Sequence, residues 1–134
     1  MFEIHQEFVF DAAHRFPGMP DGHQYRGVHG HSFRVTVTIA GAAQASGFVV
    51  DLGELEQACA SLHDTLDHSY LNDIDGLETP SLERIAQWTW AQLQPLYPGL
   101  ARVAVTRDSR RHGCTYFGPP DPLNPSKPSI PSKP

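Results

Sequence analysis

With 134 residues, of which 40% are hydrophobic and 19% charged, the chain suits one folded domain with a core of its own. The net charge is −5 and the eight arginines up to Gly118 form no basic stripe, which argues against nucleic-acid binding. Two cysteines without a Cys-x-x-Cys pair indicate neither a disulfide framework nor a thiolate zinc site, and no signal peptide or membrane span is predicted, so we expect a cytoplasmic protein.

The first predicted element is a long strand over residues 2–14. Apolar and polar side chains alternate from Phe2 to Ala12, and His14 falls at the end of the apolar row. Residues 15–28 contain two prolines and three glycines and predict a loop longer than a tight hairpin. Long loops between paired strands often carry function.

A second strand is predicted over residues 29–40. His29, His31 and Phe33 share one face of it, because strand side chains alternate with period two. Residues 41–47 predict a turn, and residues 48–50 predict a further short strand.

Two amphipathic helices follow. Asp51 and Glu54 form a capping box for the first helix. Its apolar stripe has spacings of three and four and consists of Leu52, Leu55, Cys59, Leu62 and Leu66. Pro80 is predicted at the first helical position of the second helix, which Pro95 and Pro98 end.

The last part of the domain returns to strands. Residues 102–108 alternate, residues 110–113 predict a turn, and residues 114–117 predict a final strand. Strands at both ends with paired helices between them predict an α+β domain with an antiparallel sheet, over residues 1–118. Residues 119–134 hold seven of the twelve prolines and predict a disordered tail rich in Pro, Ser and Lys.

The histidines at the start of the second strand suggest a metal site. Burying His29 and His31 on an apolar face is costly unless a partner satisfies both rings. A metal ion satisfies both at once, and His14 is a candidate for a third nitrogen. Three protein ligands are typical of catalytic zinc, which leaves a fourth position for water or substrate. Spacing alone does not fix the third ligand, so metal binding and a structural role both stay open.

Asp67-His68, after the first helix, is a candidate pair for proton transfer. A carboxylate beside a histidine can orient an imidazole for that purpose. The alternative is that the pair only ends the helix, where a cation suits the helix dipole. Without further information the second interpretation is favoured.

Three arginines, Arg107, Arg110 and Arg111, cluster at the end of the last long alternating segment and just after it. Such a group can bind an anionic substrate such as a polyphosphate, because guanidinium groups pair with phosphate oxygens. The cluster is also typical of a solvated turn, which is the favoured interpretation. Asp108 lies in the same stretch, where a carboxylate is often solvated.

Five motifs occur together in the order of one known pattern. They are Phe10-Asp11-Ala12-Ala13-His14-Arg15-Phe16, His29-Gly30-His31-Ser32-Phe33, Val50-Asp51-Leu52, Leu66-Asp67-His68-Ser69-Tyr70-Leu71-Asn72-Asp73 and Pro80-Ser81-Leu82-Glu83. Over residues 1–118 the chain resembles the 6-pyruvoyltetrahydropterin synthase family. Within that family, the bacterial 6-carboxytetrahydropterin synthases of the queuosine pathway are the most similar branch.

The resemblance implies a T-fold, in which two helices pack on one side of a four-stranded antiparallel sheet in the order ββααββ. It implies homotrimers or homohexamers with active sites at subunit interfaces. It also implies a Zn²⁺ ion on His14, His29 and His31.

The resemblance further implies a pterin substrate. Asp67 and His68 match a catalytic pair, Asp108 stands where a glutamate usually holds the pterin ring, and Ser81 stands at a pterin-contacting Thr/Ser position. The implied reaction converts 7,8-dihydroneopterin triphosphate to 6-carboxy-5,6,7,8-tetrahydropterin, with release of acetaldehyde and triphosphate. No nicotinamide is required, and the chain has no Gly-rich dinucleotide fingerprint.

Tyr25 stands where the family usually has a catalytic cysteine, four residues before His29. Free cysteine is a few per cent thiolate at neutral pH, whereas free tyrosine is about one part in a thousand ionised. Losing a general base typically costs about 10²- to 10⁴-fold in rate. The chain is therefore expected to be a slow synthase or a synthase that uses His68 or Tyr25 as its base. The alternatives are a paralogue with altered chemistry on the same pterin, namely 6-pyruvoyltetrahydropterin formation, side-chain cleavage or triphosphate removal, or a non-catalytic zinc- or pterin-binding protein.

Overall fold

The computed structural model describes residues 1–120 and residue 123. Its elements are, in chain order, β1 (Phe2–His14), β2 (His29–Gly41), α1 (Leu52–Leu66), α2 (Leu82–Leu93), β3 (Leu100–Arg107) and β4 (His112–Tyr116). Single 3-10 turns lie at Leu71–Asp73 and Asp108–Arg110. The predicted tail falls outside the described residues except at 119, 120 and 123. Among the described helices, none is long and apolar enough to cross a membrane.

The four strands form one antiparallel sheet in the order β1-β2-β3-β4. β1 and β2 pair over their full length, from Phe2 opposite Gly41 to His14 opposite His29. Phe10 and Phe33, which are also opposite each other, stack with ring centroids 5.0 Å apart. The alternation predicted for both strands is confirmed, and it brings the ends that carry the histidines together.

Both helices pack on the apolar face of this sheet. The side chain of Asp51 accepts hydrogen bonds from the backbone N–H groups of Gly53 and Glu54, as its predicted capping role requires. α1 buries the predicted stripe apart from its first member: Leu55, Cys59, Leu62 and Leu66. α2 buries Leu82, Ile85, Ala86, Thr89 and Leu93. These side chains and the inward residues of the strands form one core.

The short strand predicted at residues 48–50 is wrong. Gln44 binds this segment across a turn, with its backbone N–H donating to the Phe48 carbonyl at 3.0 Å and its side-chain amide to the Val49 carbonyl at 3.2 Å. A strand that follows β2 in a hairpin would have to pair with the second edge of β2. That edge is occupied by β3, where Ile39 pairs with Leu100. The apolar run therefore closes a loop instead of extending the sheet.

Pro80 does not occupy the first helical position of α2, as the sequence predicted. Ser81 is the N-cap, because its hydroxyl oxygen accepts a hydrogen bond from the Arg84 backbone N–H at 3.1 Å. The helix therefore begins at Leu82, two residues later than predicted. Pro80 is buried just before the cap, and its carbonyl oxygen is directed at His14.

Gly113 allows β4 to approach β3 closely. A Cβ at this position would lie 2.5 Å from the Thr106 Cγ2 atom and 2.8 Å from the Val105 carbonyl oxygen. We expect Gly113→Ala to lower the free energy of unfolding by about 1–3 kcal/mol, because two paired backbones must move apart. Urea denaturation measures the loss. Gly18→Ala, at a position with nothing within 4 Å, is the control, and an equal loss in both variants would contradict this account.

Candidate active site

Three histidine rings converge where the β1–β2 ladder ends. The ring centroids are 4.5 Å apart for His14 and His29, 5.1 Å for His14 and His31, and 4.9 Å for His29 and His31. One nitrogen from each ring lies within 4.8 Å of the others. The fold therefore brings together the three residues that were predicted to bind a metal.

Backbone carbonyls orient two of these rings. His14 Nδ1 lies 3.0 Å from the Pro80 carbonyl oxygen, and His29 Nδ1 lies 2.8 Å from the Gly27 carbonyl oxygen. Because a carbonyl only accepts, both Nδ1 atoms carry the proton and both Nε2 atoms keep a lone pair. Both Nε2 atoms are buried and have no hydrogen-bond partner. Carbonyl-oriented imidazoles with free lone pairs fit the requirements of a zinc ligand.

The third ring has a cationic neighbour. Arg107 Nη1 lies 3.3 Å from His31 Nε2, which must be the acceptor because a guanidinium only donates. Burial lowers the pKa of His14 and of His31 to about 4, and the charge of Arg107 contributes to lowering both. The two imidazoles are therefore neutral at pH 7, which is the form that binds a metal.

Aromatic side chains surround the triad. The Phe33 ring centroid lies 5.7 Å from that of His14, and the Phe16 centroid lies 4.9 Å from it on an edge-to-face contact. Tyr25 is half-buried and stacks on His29 at 5.7 Å with an interplanar angle of 28°. The residue at the usual cysteine position is thus in contact with a predicted metal ligand.

The Asp67-His68 pair is tied to β1. Asp67 Oδ1 accepts a hydrogen bond from the Asp11 backbone N–H at 2.9 Å, and Oδ2 lies 2.8 Å from His68 Nδ1. The bond from Asp11 lowers the pKa of Asp67, and the bond to Asp67 raises the pKa of His68. Asp67 is also the C-cap of α1. The pair therefore ends the helix and also orients an imidazole, and its role in proton transfer stays a prediction.

His68 has the left-handed backbone conformation, with φ +55°, and its side chain is 80% exposed. That conformation costs about 1 kcal/mol or more in a residue with a side chain, and such residues are common at functional sites. An open cleft of about 580 Å³ is lined by both His68 and His31, together with Ser32 and Ser109. Of the three triad histidines, His31 therefore borders the same open space as the oriented imidazole, whereas His14 and His29 do not line it.

Asp108 and Ser81 make other contacts in the single chain. The Asp108 carboxylate forms an ion pair with Arg34 at 2.6 Å and accepts a hydrogen bond from the Thr106 hydroxyl at 3.1 Å. The Ser81 hydroxyl caps α2. Their roles toward a pterin stay predictions.

For Arg107, the solvent exposure predicted from the sequence is wrong. The cluster was interpreted as a solvated turn, yet Arg107 is only 8% exposed and contacts His31. The sequence does contain a pattern that indicates burial, because Arg107 continues the alternation of Val103 and Val105 on the buried face of β3. Arg110 and Arg111 are exposed, in agreement with the turn.

Neither cysteine can supply a thiolate base at neutral pH. Burial raises the pKa of Cys59 and of Cys114 to about 11. Cys59 is a core residue of α1, and Cys114 lies in β4, opposite Val105. The fold therefore gives neither cysteine the position that Tyr25 occupies beside His29.

Sequence comparison places the chain among pterin synthases. The family described as 6-pyruvoyl tetrahydropterin synthase matches residues 3–119. A 6-carboxy-5,6,7,8-tetrahydropterin synthase of Synechocystis is 38% identical over 126 residues, which cover 89% of this chain and 95% of that protein. A Bacillus subtilis protein of the same name is 32% identical over 100 residues, which cover 69% of this chain and 66% of that protein.

Solved structures share the fold. The 6-pyruvoyl tetrahydropterin synthase of Caenorhabditis elegans aligns with a TM-score of 0.78 at 23% identity, over 88% of this chain and 96% of that one. The Plasmodium vivax enzyme aligns with a TM-score of 0.65 at 19% identity, over 86% and 96%. Two further structures of the Plasmodium vivax protein carry a catalytic glutamate replaced by alanine or by cysteine.

The metal-free protein is expected to lose stability as the pH falls from about 6.5 to about 4. The pKa of His14 is about 4 in the folded chain and about 6.5 when unfolded, so the unfolded chain binds more protons between these values. This stabilising contribution is complete above about pH 6.5 and is lost as the pH falls toward 4. Urea denaturation in EDTA measures it. His14→Asn removes the titrating group, so an unchanged pH slope in that variant would refute the assignment.

Proposed function

Because the chain belongs to the 6-pyruvoyl tetrahydropterin synthase family, we propose that it is a zinc-dependent lyase acting on 7,8-dihydroneopterin triphosphate. With one water consumed, its products are 6-carboxy-5,6,7,8-tetrahydropterin, acetaldehyde and triphosphate, in the queuosine and 7-deazapurine pathway. The observation that carries the proposal is the convergence of three imidazoles, two of them with buried and unpartnered Nε2 atoms. The names of the relatives at 38% and 32% identity support the choice of product.

His14, His29 and His31 would hold the zinc through Nε2. When bound, the ion supplies Lewis acidity that polarises the side-chain oxygens of the substrate and acidifies the neighbouring C–H bonds. The carbonyls of Pro80 and Gly27 fix two rings in advance, so the ligands do not have to reorganise. Three ligands leave a tetrahedral site one position for the substrate.

We assign the proton transfer to His68, with Asp67 as its positioning residue. The hydrogen bond to Asp67 keeps the proton on Nδ1, so Nε2 is the atom that exchanges a proton with the substrate. The Tyr25 ring contacts His29, so its phenol lies beside the proposed zinc ligands and is the second candidate base. A glutamate is catalytic in the Plasmodium vivax protein, so cysteine is not the only side chain that serves in a protein of this fold.

The proposal includes a homo-oligomer, a trimer or hexamer, acting in the cytoplasm. The cleft is open and His68 is 80% exposed in a single chain. A neighbouring subunit that covers this side would exclude water from the reacting groups, which strengthens electrostatic interactions within the site. Asp108 and Ser81 would then meet the pterin in the assembled site.

Product analysis with zinc-loaded protein tests the reaction. We expect 6-carboxy-5,6,7,8-tetrahydropterin and acetaldehyde in equal amounts by mass spectrometry, and about one zinc per chain by elemental analysis. His29→Ala should lose both zinc and product because it removes one of three ligands. His5→Ala, a change at an exposed histidine of β1, is the control.

Three other outcomes would contradict the proposed reaction. Loss of triphosphate without acetaldehyde would favour altered chemistry on the same pterin. Pterin binding without turnover by fully loaded protein would favour a binding protein. An intact zinc content in His29→Ala would contradict the ligand set.

Two substitutions separate the candidate bases. We expect His68→Asn to lower kcat by about 10²- to 10⁴-fold because it removes the exchanging nitrogen. Tyr25→Phe keeps the ring that stacks on His29 and is expected to cost less than about tenfold. The reverse order of the two effects would assign the base to Tyr25, and a large gain in Tyr25→Cys would mean that this chain has lost its base.

A further inference from the structure

Arg107 has no role in the chemistry proposed above, and its environment is unusual for an arginine. It ends β3 on the buried face and is only 8% exposed. Arginine is almost never buried without a partner. Within residues 1–120, no carboxylate forms an ion pair with it, and its Nε atom is buried without a hydrogen-bond partner.

The hydrogen bond that Arg107 does make is lost when a metal binds. Its Nη1 donates to His31 Nε2 at 3.3 Å, and that nitrogen is the proposed metal ligand. One lone pair cannot serve a donor and a metal at the same time. A loaded site would therefore leave a buried guanidinium without its acceptor and next to a second cation, which is strongly unfavourable.

We propose that Arg107 binds an anionic group of the substrate beside the metal, namely a phosphate of the triphosphate chain, and that metal and anion bind cooperatively. This inference rests on the proposed function. An anion supplies an acceptor to the unpartnered Nε, whose N–H forms with the adjacent Nη2 the fork that matches the geometry of phosphate oxygens.

The surroundings of Arg107 support an anion at this position. Two acidic side chains, the Tyr25 phenol and the Glu83 carboxyl, lie near Arg107, and the positive charge of Arg110 acts on both Arg107 and His31. Glu83 is exposed and forms no ion pair with Arg107, so it does not occupy the donors. Two guanidinium groups at the edge of a metal site create a positive potential in which an anion is stabilised.

The contact also has a place in the reaction. When triphosphate leaves, the C–O bond breaks and its electron pair passes to the phosphate oxygen, while the electron pair of the C–H bond opened by the base forms a C=C bond. Negative charge therefore develops on the leaving group. Donors that are already in position stabilise such charge without reorganising.

Zinc affinity in two salts tests the cooperativity. Sulfate is the probe because it is a tetrahedral anion like phosphate and binds free Zn²⁺ only weakly. We expect sodium sulfate, compared with sodium chloride at equal ionic strength, to tighten zinc binding by about 5- to 20-fold in competition with a chromophoric chelator. Arg107→Gln should abolish this difference and should bind zinc more tightly than the wild type in chloride alone, because a competing donor and a cation are removed.

Arg102→Gln is the matched control. It makes the same change of charge on the same strand, but Arg102 pairs with Glu3 and lies on the other face of the sheet. The control should keep the full effect of sulfate. Arg107→Lys keeps a charge without the fork and should keep only part of it, which gives a second comparison if Arg107→Gln folds poorly.

Each result has a distinct meaning. Wild-type protein that binds zinc equally well in both salts overturns the role of Arg107 and leaves the proposed function intact. An equal sulfate effect in the wild type and in Arg107→Gln, or in the wild type and in Arg107→Lys, also overturns it. Wild-type protein that binds no zinc in either salt overturns the metal site and this inference together.

Discussion

The full-length pairing of β1 with β2 is the constraint on which the rest of the molecule depends. Because side chains alternate along a strand, a shift of the register by one residue would move every inward side chain of one strand to the other face. The observed register sets Phe10 on Phe33 in the core and His14 opposite His29 at the end. The same ladder therefore builds the hydrophobic core and assembles the three imidazoles.

The end of the β1–β2 ladder that carries the histidines is destabilised by buried polar atoms without hydrogen-bond partners, which the rest of the described core lacks. In the described part of the chain, the buried side-chain polar atoms without a partner are His14 Nε2, His29 Nε2 and Arg107 Nε. All three lie around the triad, whereas Thr89, a polar side chain buried elsewhere in the core, donates its hydroxyl to the Ile85 carbonyl at 2.9 Å. Each unpaired buried group costs about 1–3 kcal/mol. A concentration of this cost at one place is what a binding site needs, because a ligand that satisfies the groups recovers it.

Local patterns predicted the parts of the fold that depend on local periodicity. The alternation in β1 and β2 and the capping box at Asp51 gave the correct elements, because the buried face and the first helical turn are decided by near neighbours. The strand at residues 48–50 failed because a neighbouring strand already occupied the edge it needed. The Pro80 carbonyl oxygen contacts His14, which is 66 residues away in the sequence, and a periodic pattern of side chains cannot predict such a long-range contact. The prediction for Arg107 was wrong for a different reason: the alternation already placed it on the face of Val103 and Val105, but its charge favoured a solvated environment.

The substitution at position 25 changes how the site is held together as well as its chemistry. Tyr25 stacks on His29 with ring centroids 5.7 Å apart and contacts the tilted ring of His23 at 5.3 Å, so its ring supports a predicted metal ligand in a way that a cysteine cannot. The pair proposed for proton transfer lies elsewhere, in the Asp67–His68 hydrogen bond, and His68 lines the open cleft. Under the proposed function the two tasks are separate: the inner residues orient the metal ligands, and the outer pair transfers protons. Such a division allows the inner residue to be replaced by a larger ring without disturbing either the His14 or the His68 hydrogen bond, because neither involves residue 25.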